Sequence, residues 1–378
     1  MAGDEDAQSH RPRGRGRLAI GTSVGSAVAS WQQQLHSASR CVGSVAEACC
    51  SGRCRLRRPP ADDAAKQRKR GTLVVMSFNL RVDNSADTRL GRGWPERRAK
   101  VANAIANSGA DVVGTQEGLA HQLRNLSDDL EGLGMQYSCF GRAREVGFRF
   151  RPVGEHCAVW YRGDNDPLER LTDATFALSE TPERLGSKSW GTACPRIATY
   201  AWFLLGGDSA FGRDRCVLYL NTHLDHSSVA AQEMGARLIV RRLHELEVAG
   251  PPRTGCVHSG TIVTGDFNSW QRRADGQCSP AFSVFKDAGF RDACSEAADP
   301  ETCPFETFHD WRPAAKRAAP TPPTLRRIGI AHGHIDWILW RGTGLKLASF
   351  RVLTDDPDDG GAPPASDHFP VLAEFQTK

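Results

Sequence analysis

The chain has 378 residues, 40% of them hydrophobic, which is enough for one large α/β domain or two ordinary ones. No run approaches the roughly 18 apolar residues needed to span a bilayer, so a soluble protein is expected. The net charge of +4 is unevenly spread: residues 1–70 carry 13 Lys/Arg against 6 Asp/Glu, and the remainder 35 against 38. That slightly acidic body is not a nucleic-acid binder by bulk charge, so any such affinity must come from local patches, bound metal ions or the basic N-terminal segment.

Residues 1–70 are rich in Arg, Ser, Ala and Gly without a sustained period, and read as a disordered basic tail. Their longest apolar run, Leu18-Ala19-Ile20, is too short for a secretory signal. The protein is therefore expected inside the cell, cytoplasmic or nuclear. Organellar targeting by the tail stays open, although Asp4, Glu5 and Asp6 count against a transit peptide. Cys41, Cys49, Cys50 and Cys54 cluster in this tail, but their spacing fits no zinc pattern. The other eight cysteines are scattered and are expected to be buried free thiols.

Order is expected from residue 71 to the end. Residues 72–80 (TLVVMSFNL) form an apolar, β-branched strand candidate, and 95–108 a helix that opens on Pro95. A short strand at 111–115 and a helix near 119–130 follow. Further strands are expected at 156–161, 197–205, 215–222 and 261–264, with an amphipathic helix at 232–246 ahead of the last of these. Strands at 334–340 and 371–375 close the chain. Segments 250–260, 296–332 and 354–366 are rich in Pro, Gly or charge and read as surface loops. The alternation of β and α points to an α/β fold of mixed sheets covered by helices within one domain.

Polar residues suited to metal or phosphate recur just after the apolar strands. They are Asn79, Glu117, His223, Asp266, Asn268, Asp336 and the pair Asp367-His368. Loops at strand ends are where α/β folds assemble sites, because the sheet holds them rigidly while leaving them open. Carboxylates with an Asn and few sulfurs favour a hard ion such as Mg²⁺ or Mn²⁺. Hydrolysis of a phosphate ester needs neutralised phosphoryl oxygens, an oriented water and help for the leaving oxygen. No nucleophilic Ser elbow, Cys–His signature or P-loop is present, so direct attack by water is expected.

The ordered run MSFNLR (76–81), GTQEG (114–118), NTHLDH (221–226), GDFNS (265–269), HIDWIL (334–339) and SDHFPV (366–371) resembles the endonuclease/exonuclease/phosphatase superfamily over about residues 72–377. The stretches 94–98, 176–183, 187–190 and 195–203 look most like its small stand-alone members near the carbon-catabolite-repressor-type deadenylases. The resemblance implies a four-layer sandwich of two mixed β-sheets flanked by helices, and a Mg²⁺- or Mn²⁺-dependent phosphoesterase. It implies Glu117 as principal metal ligand with Asn79 beside it, and Asp367 touching a metal. Asp266 would activate the attacking water, Asn268 would hydrogen-bond the phosphate and His223 would contact it. Asp336 would pair with His368, which stabilises developing charge or protonates the leaving group. Arg196 fits a phosphate-facing arginine. Glu155 falls where relatives carry a glutamate, and Asp225 and His226 extend the NTH motif; their roles are open.

The activity so implied is that of a phosphodiesterase or nuclease, RNA exonuclease-like in the 3′–5′ sense, with RNA or DNA among the candidate substrates. A phosphatase acting on a phosphoinositide, sugar phosphate or nucleotide is the alternative within hydrolases. A non-catalytic nucleic-acid-binding protein on a nuclease fold is the alternative of another class. Trp94, Phe148, Phe150 and Trp190 are candidates for stacking on bases, or for packing.

Overall fold

The computed structural model describes residues 71–147, 152–163, 168–205, 214–271, 277–297, 306–312, 333–354 and 363–377. The expectations for the 1–70 tail and for Phe148 and Phe150 lie outside these residues, as does most of the 296–332 connection.

Strand β1 (Thr72–Asn79) is followed by a short helix α1 (Ser85–Arg89), capped by the Asn84 side chain, and by α2 (Trp94–Ser108). Then come β2 (Val112–Gly118), α3 (Ala120–Gly132), β3 (Tyr137–Phe140), β4 (Ala143–Val146), β5 (Pro152–Arg162), β6 (Leu168–Ala177), β7 (Ile197–Leu205) and β8 (Arg215–His223). Helix α4 (Val229–Ala249) leads to β9 (Val257–Asp266), α5 (Pro280–Asp287), β10 (Arg291–Asp292) and α6 (Ala293–Glu296). Strands β11 (Asp336–Arg341), β12 (Leu345–Val352) and β13 (Val371–Thr377) complete the chain.

The strands form two mixed sheets. One runs β12-β13-β1-β2-β5-β3 with β4 also on β5, and the other β10-β11-β9-β8-β7-β6. Val75, Val112 and Val159 of the first sheet meet Phe203, Tyr219, Ile262 and Ile338 of the second in one buried cluster. The outer face of the first sheet packs Met76, Phe78 and Val113 against Val101 and Ile105 of α2 and Leu126 of α3. The outer face of the second packs Leu218, Leu220 and Val263 against Leu238, Ile239 and Leu243 of α4. Helix, sheet, sheet and helix therefore make the four expected layers. The sheets are in close contact at Gly114, where a Cβ would fall 2.5 Å from Thr264 Oγ1 and from the Tyr219 hydroxyl. Only glycine fits there, and a buried polar bridge lies alongside. Gln116 Nε2 donates to Asn221 Oδ1 at 2.7 Å, and Asn221 Nδ2 to the Thr115 and Ala158 carbonyls.

Strands β3, β4, β6 and β12 and helix α5 escape a reading by periodicity. β6 and β12 are edge strands whose register shifts, between Arg170 and Thr172 and between Leu347 and Ser349, so their apolar residues do not alternate cleanly. The expected loop at 250–260 ends early, because Val257–Gly260 already belong to β9.

The expectation of free thiols needs correction. Cys139, Cys157, Cys194 and Cys278 are free, but Cys216 and Cys256 form a disulfide and Cys294 is also disulfide-bonded. The parallel β8–β9 pairing opposes Cys216 to His258, which carries Cys256 alongside with a Cα–Cα distance of 6.1 Å. No described helix is long and apolar enough to cross a membrane. Closing a loop with a sequence separation of 40 stabilises the fold by about 4 kcal/mol in the chain-entropy account. Reduction, or Cys216→Ser with Cys256→Ser, is expected to lower Tm by about 5–10 °C. Differential scanning with and without reductant checks this, and an unchanged Tm together with full thiol titration before unfolding would contradict it.

Candidate active site

Strand register gathers the polar residues at one end of the two sheets. In the first sheet β1 and β2 run parallel with Asn79 opposite Gln116, which puts Glu117 one residue beyond. The β2–β5 register shifts between Thr115 and Gly118, and Glu117 sits in that irregularity with a left-handed φ of 64°. A bulge of this kind re-aims a side chain, and a non-glycine residue held there stores strain that the site must offset. In the second sheet β8 places His223 opposite Asp266, and β11 places Asp336 opposite the same Asp266. Asp266 thus lies between two partners from neighbouring strands.

Side-chain contacts join the two sheets. The buried Asn79 Nδ2 donates to Glu117 Oε1 and to Asp266 Oδ2, both at 2.9 Å, while its Oδ1 accepts the Arg81 amide at 2.9 Å. Glu117 Oε2 accepts the Val82 amide at 2.8 Å. Asn268, itself at φ 47°, donates its amide N–H to Asp266 Oδ1 at 2.9 Å and its Nδ2 to His223 Nε2 at 2.9 Å. Its carbonyl is held by Gln232 Nε2 of α4. His368 Nδ1 lies 2.9 Å from Asp336 Oδ2, and its Nε2 3.7 Å from Asp266 Oδ2.

Burial sets the electrostatics and the neighbours correct it. Burial, and then the charge of Asp336, push Asp266 up to about 7 against the pull of His368. Burial alone would lower His368, but Asp336 and Asp266 carry it up to about 10, so the ring is a cation at neutral pH. Burial, with the Arg196 and Arg144 charges, holds His223 well below the usual histidine range. Its neutral Nε2 is therefore a fit acceptor for Asn268. Burial raises Glu117, but the Asn79 and Val82 hydrogen bonds and the His368 and Arg81 charges leave it below the ordinary glutamate range.

The donor set suits a hard cation. One ligand atom each from Glu117, His223 and Asp266 lie within 4.8 Å of one another, and so do those from Asp266, Asp336 and His368. The protonated His368 is a poor ligand, which favours the first group. Oxygens with one imidazole and no thiolate match Mg²⁺ or Mn²⁺. The raised Asp266 and the partnerless, buried Asp336 Oδ1 show a site short of positive charge.

Two of the expected site residues border this group. Asp367 directs Oδ2 at Arg81 Nη1, 3.3 Å away, and belongs to neither ligand cluster. Arg196 donates Nη2 to His226 Nδ1 at 2.7 Å and reaches Asp225 Oδ2 at 3.7 Å through Nε. Together with Arg144, Glu155, His156, Cys157, Ile197 and His223 it lines a niche beside the site. Asp225 is otherwise occupied by the amides of Ser227, Ser228 and Ala193 and the Thr192 hydroxyl. Trp94 is core, its Nε1 on Asn125, and Trp190 packs against the second-sheet core.

Several supporting residues were not anticipated. Arg97 donates to the Leu80, Arg81 and Ala365 carbonyls and so ties the exit of β1 to the chain before Ser366. Ser366 Oγ donates to the Asn79 carbonyl at 2.7 Å. Thr307 Oγ1 accepts the Ile335 and Asp336 amides, and Phe308 bridges His368, which gives part of the 296–332 connection a place at the site. Ser366 and Arg97 stood inside the family-like stretches SDHFPV and WPERR. Arg144 and Thr307 carried no signal of their own.

The Endonuclease/Exonuclease/phosphatase family model matches residues 76–368, and the chain belongs to that family and carries its phosphoesterase fold. No curated protein matches it in sequence. Among solved structures, an endonuclease/exonuclease/phosphatase from Bacteroides vulgatus is 28% identical with a TM-score of 0.61, covering 81% of this chain and 99% of that one. A mannosyl-6-phosphatase from Bacteroides thetaiotaomicron is 27% identical with a TM-score of 0.61, covering 80% and 99%. TDP2 from D. rerio, complexed with a single-strand DNA product, is 14% identical with a TM-score of 0.54 over 81% and 99%, a likeness of fold alone.

Proposed function

We propose that the protein hydrolyses a phosphate ester by direct attack of water, assisted by Mg²⁺ or Mn²⁺. The observation that carries this reading is the convergence on Asp266 of Asn79 and His368, from the end of β1 and the segment entering β13 of the first sheet, with His223 and Asp336 of its own sheet. Glu117 would hold the cation, with Asn79 aiming both it and Asp266, and Asp367 stands behind them through Arg81. A divalent ion bound there supplies charge neutralisation for the phosphoryl oxygens. Asp266 takes the proton of the attacking water. Asn268 and His223, joined to each other, face the phosphate, and the His368 cation stabilises the added charge or protonates the leaving oxygen.

An RNA or DNA diester and a small phosphorylated molecule would use the same groups. The small molecule is favoured, because the body beyond residue 70 has more acidic than basic residues and the mannosyl-6-phosphatase shares 27% identity over most of this chain. A non-catalytic role is disfavoured by a hydrogen-bonded set of groups that includes a protonated histidine and a titrating aspartate. Turnover of chromogenic phosphate esters is expected to vanish in EDTA and to return with Mg²⁺ or Mn²⁺. Full activity in excess chelator, from protein free of metal by elemental analysis, would defeat the proposal.

A further inference from the structure

The niche beside the site has a construction the hydrolytic groups do not use. Arg196 is 5% exposed, and its Nη1 meets no acceptor although the guanidinium is buried. A buried charged donor left without a partner costs about 1–3 kcal/mol or more, so its persistence asks for a ligand. Arg144 faces the same niche from β4, its Nη1 aimed by Glu155 Oε2 at 2.7 Å. His223 is the shared wall: it lines the niche, and its Nε2 lies 3.4 Å from Asp266 Oδ2. The cavity between these groups is about 10 Å³, room for roughly one water-sized atom. It therefore takes a group and not a molecule.

We infer that this niche binds the third unsubstituted oxygen of a phosphate monoester through Arg196 and Arg144, making the enzyme a monoesterase. A monoester differs from a diester in one additional non-bridging oxygen and one additional negative charge. Two guanidinium groups next to the reacting phosphate answer both differences, since arginine forks match phosphate oxygens. Glu155 is a positioning residue that holds Arg144 in place. The inference rests on the phosphoesterase reading but separates from it experimentally.

The test takes the full-length chain with Mn²⁺ and compares p-nitrophenyl phosphate with bis(p-nitrophenyl) phosphate. Arg144→Met and Arg196→Lys are each expected to lower the monoester-to-diester ratio of kcat/KM by about 10–100-fold, the scale of one charge-assisted hydrogen bond. Arg144→Lys, which keeps the charge but not the fork, recovers part of the ratio. Calorimetric titration of inorganic phosphate should show about 10-fold or weaker binding in Arg144→Met. Parallel losses on both esters with unchanged phosphate affinity, in variants that melt like the parent, would overturn the inference. A wild-type chain inert to both esters sinks the hydrolase reading instead, while the phosphate titration still decides the niche.

Discussion

Asp336→Asn and His368→Ala are each expected to lower kcat by about 10²-fold or more, the usual scale for acid–base groups. The reason is the 2.9 Å contact between His368 Nδ1 and Asp336 Oδ2, which fixes the tautomer and keeps the buried ring protonated. The double variant should be little worse than the worse single one, because residues that act as a unit are non-additive. The alkaline limb of the wild-type pH–rate profile should approach pH 10. In Asp336→Asn it should move down toward the ordinary histidine range, since the largest of the charges that raise His368 is gone. The same shift has a stability sign. A histidine raised from its ordinary value of 6.5 to about 10 in the folded state stabilises fully below about pH 6.5, and that contribution is lost as pH climbs to about 10. His368→Ala should lack this alkaline loss. If the pair merely joined two loops, both variants would melt earlier while the folded fraction kept near-wild-type kcat, and that outcome would remove the catalytic assignment.

Glu117→Gln should act on a different quantity. The metal concentration for half-maximal rate is expected to rise by about 10²-fold or more, because even second-layer partners of a metal ligand are worth about 10–100-fold in affinity. Glutamine keeps the size of the side chain and can still accept from Asn79, but it gives up the negative charge that attracts the cation. Saturating Mn²⁺ should therefore restore most of kcat in Glu117→Gln and little of it in His368→Ala. Calorimetric metal titration of both variants checks the split. Equal metal affinity in wild type and Glu117→Gln would show that the ligand lies elsewhere, with Asp266, Asp336 and Asp367 the remaining buried carboxylates of the site.

The sequence by itself determined the strand-end position of each reactive side chain. Apolar runs such as TLVVMSFN and TIVTGD announce buried strands, and a polar residue that ends such a run must emerge at the rim of a sheet. The two-sheet fold was legible for the same reason, as were the helices with a clear apolar face, α2, α3 and α4. Edge strands β6 and β12 were not, because an irregularity at Arg170–Thr172 in one and Leu347–Ser349 in the other breaks the alternation that periodicity reads. What only the tertiary structure decided is who meets whom. Asn79 and Asp266 are 187 residues apart, and their 2.9 Å contact follows from the packing of one sheet on the other at Gly114. The Cys216–Cys256 bond depends on parallel register, to which cysteine spacing is blind. The direction of Asp367 toward Arg81, and the Arg196 Nη1 left without an acceptor across from Arg144, come likewise from long-range packing. Local sequence sets conformation and polarity over a few residues. Burial, charge proximity and the resulting shifts of Asp266 and His368 are properties of neighbours in space, and those exist only once the sheets have closed.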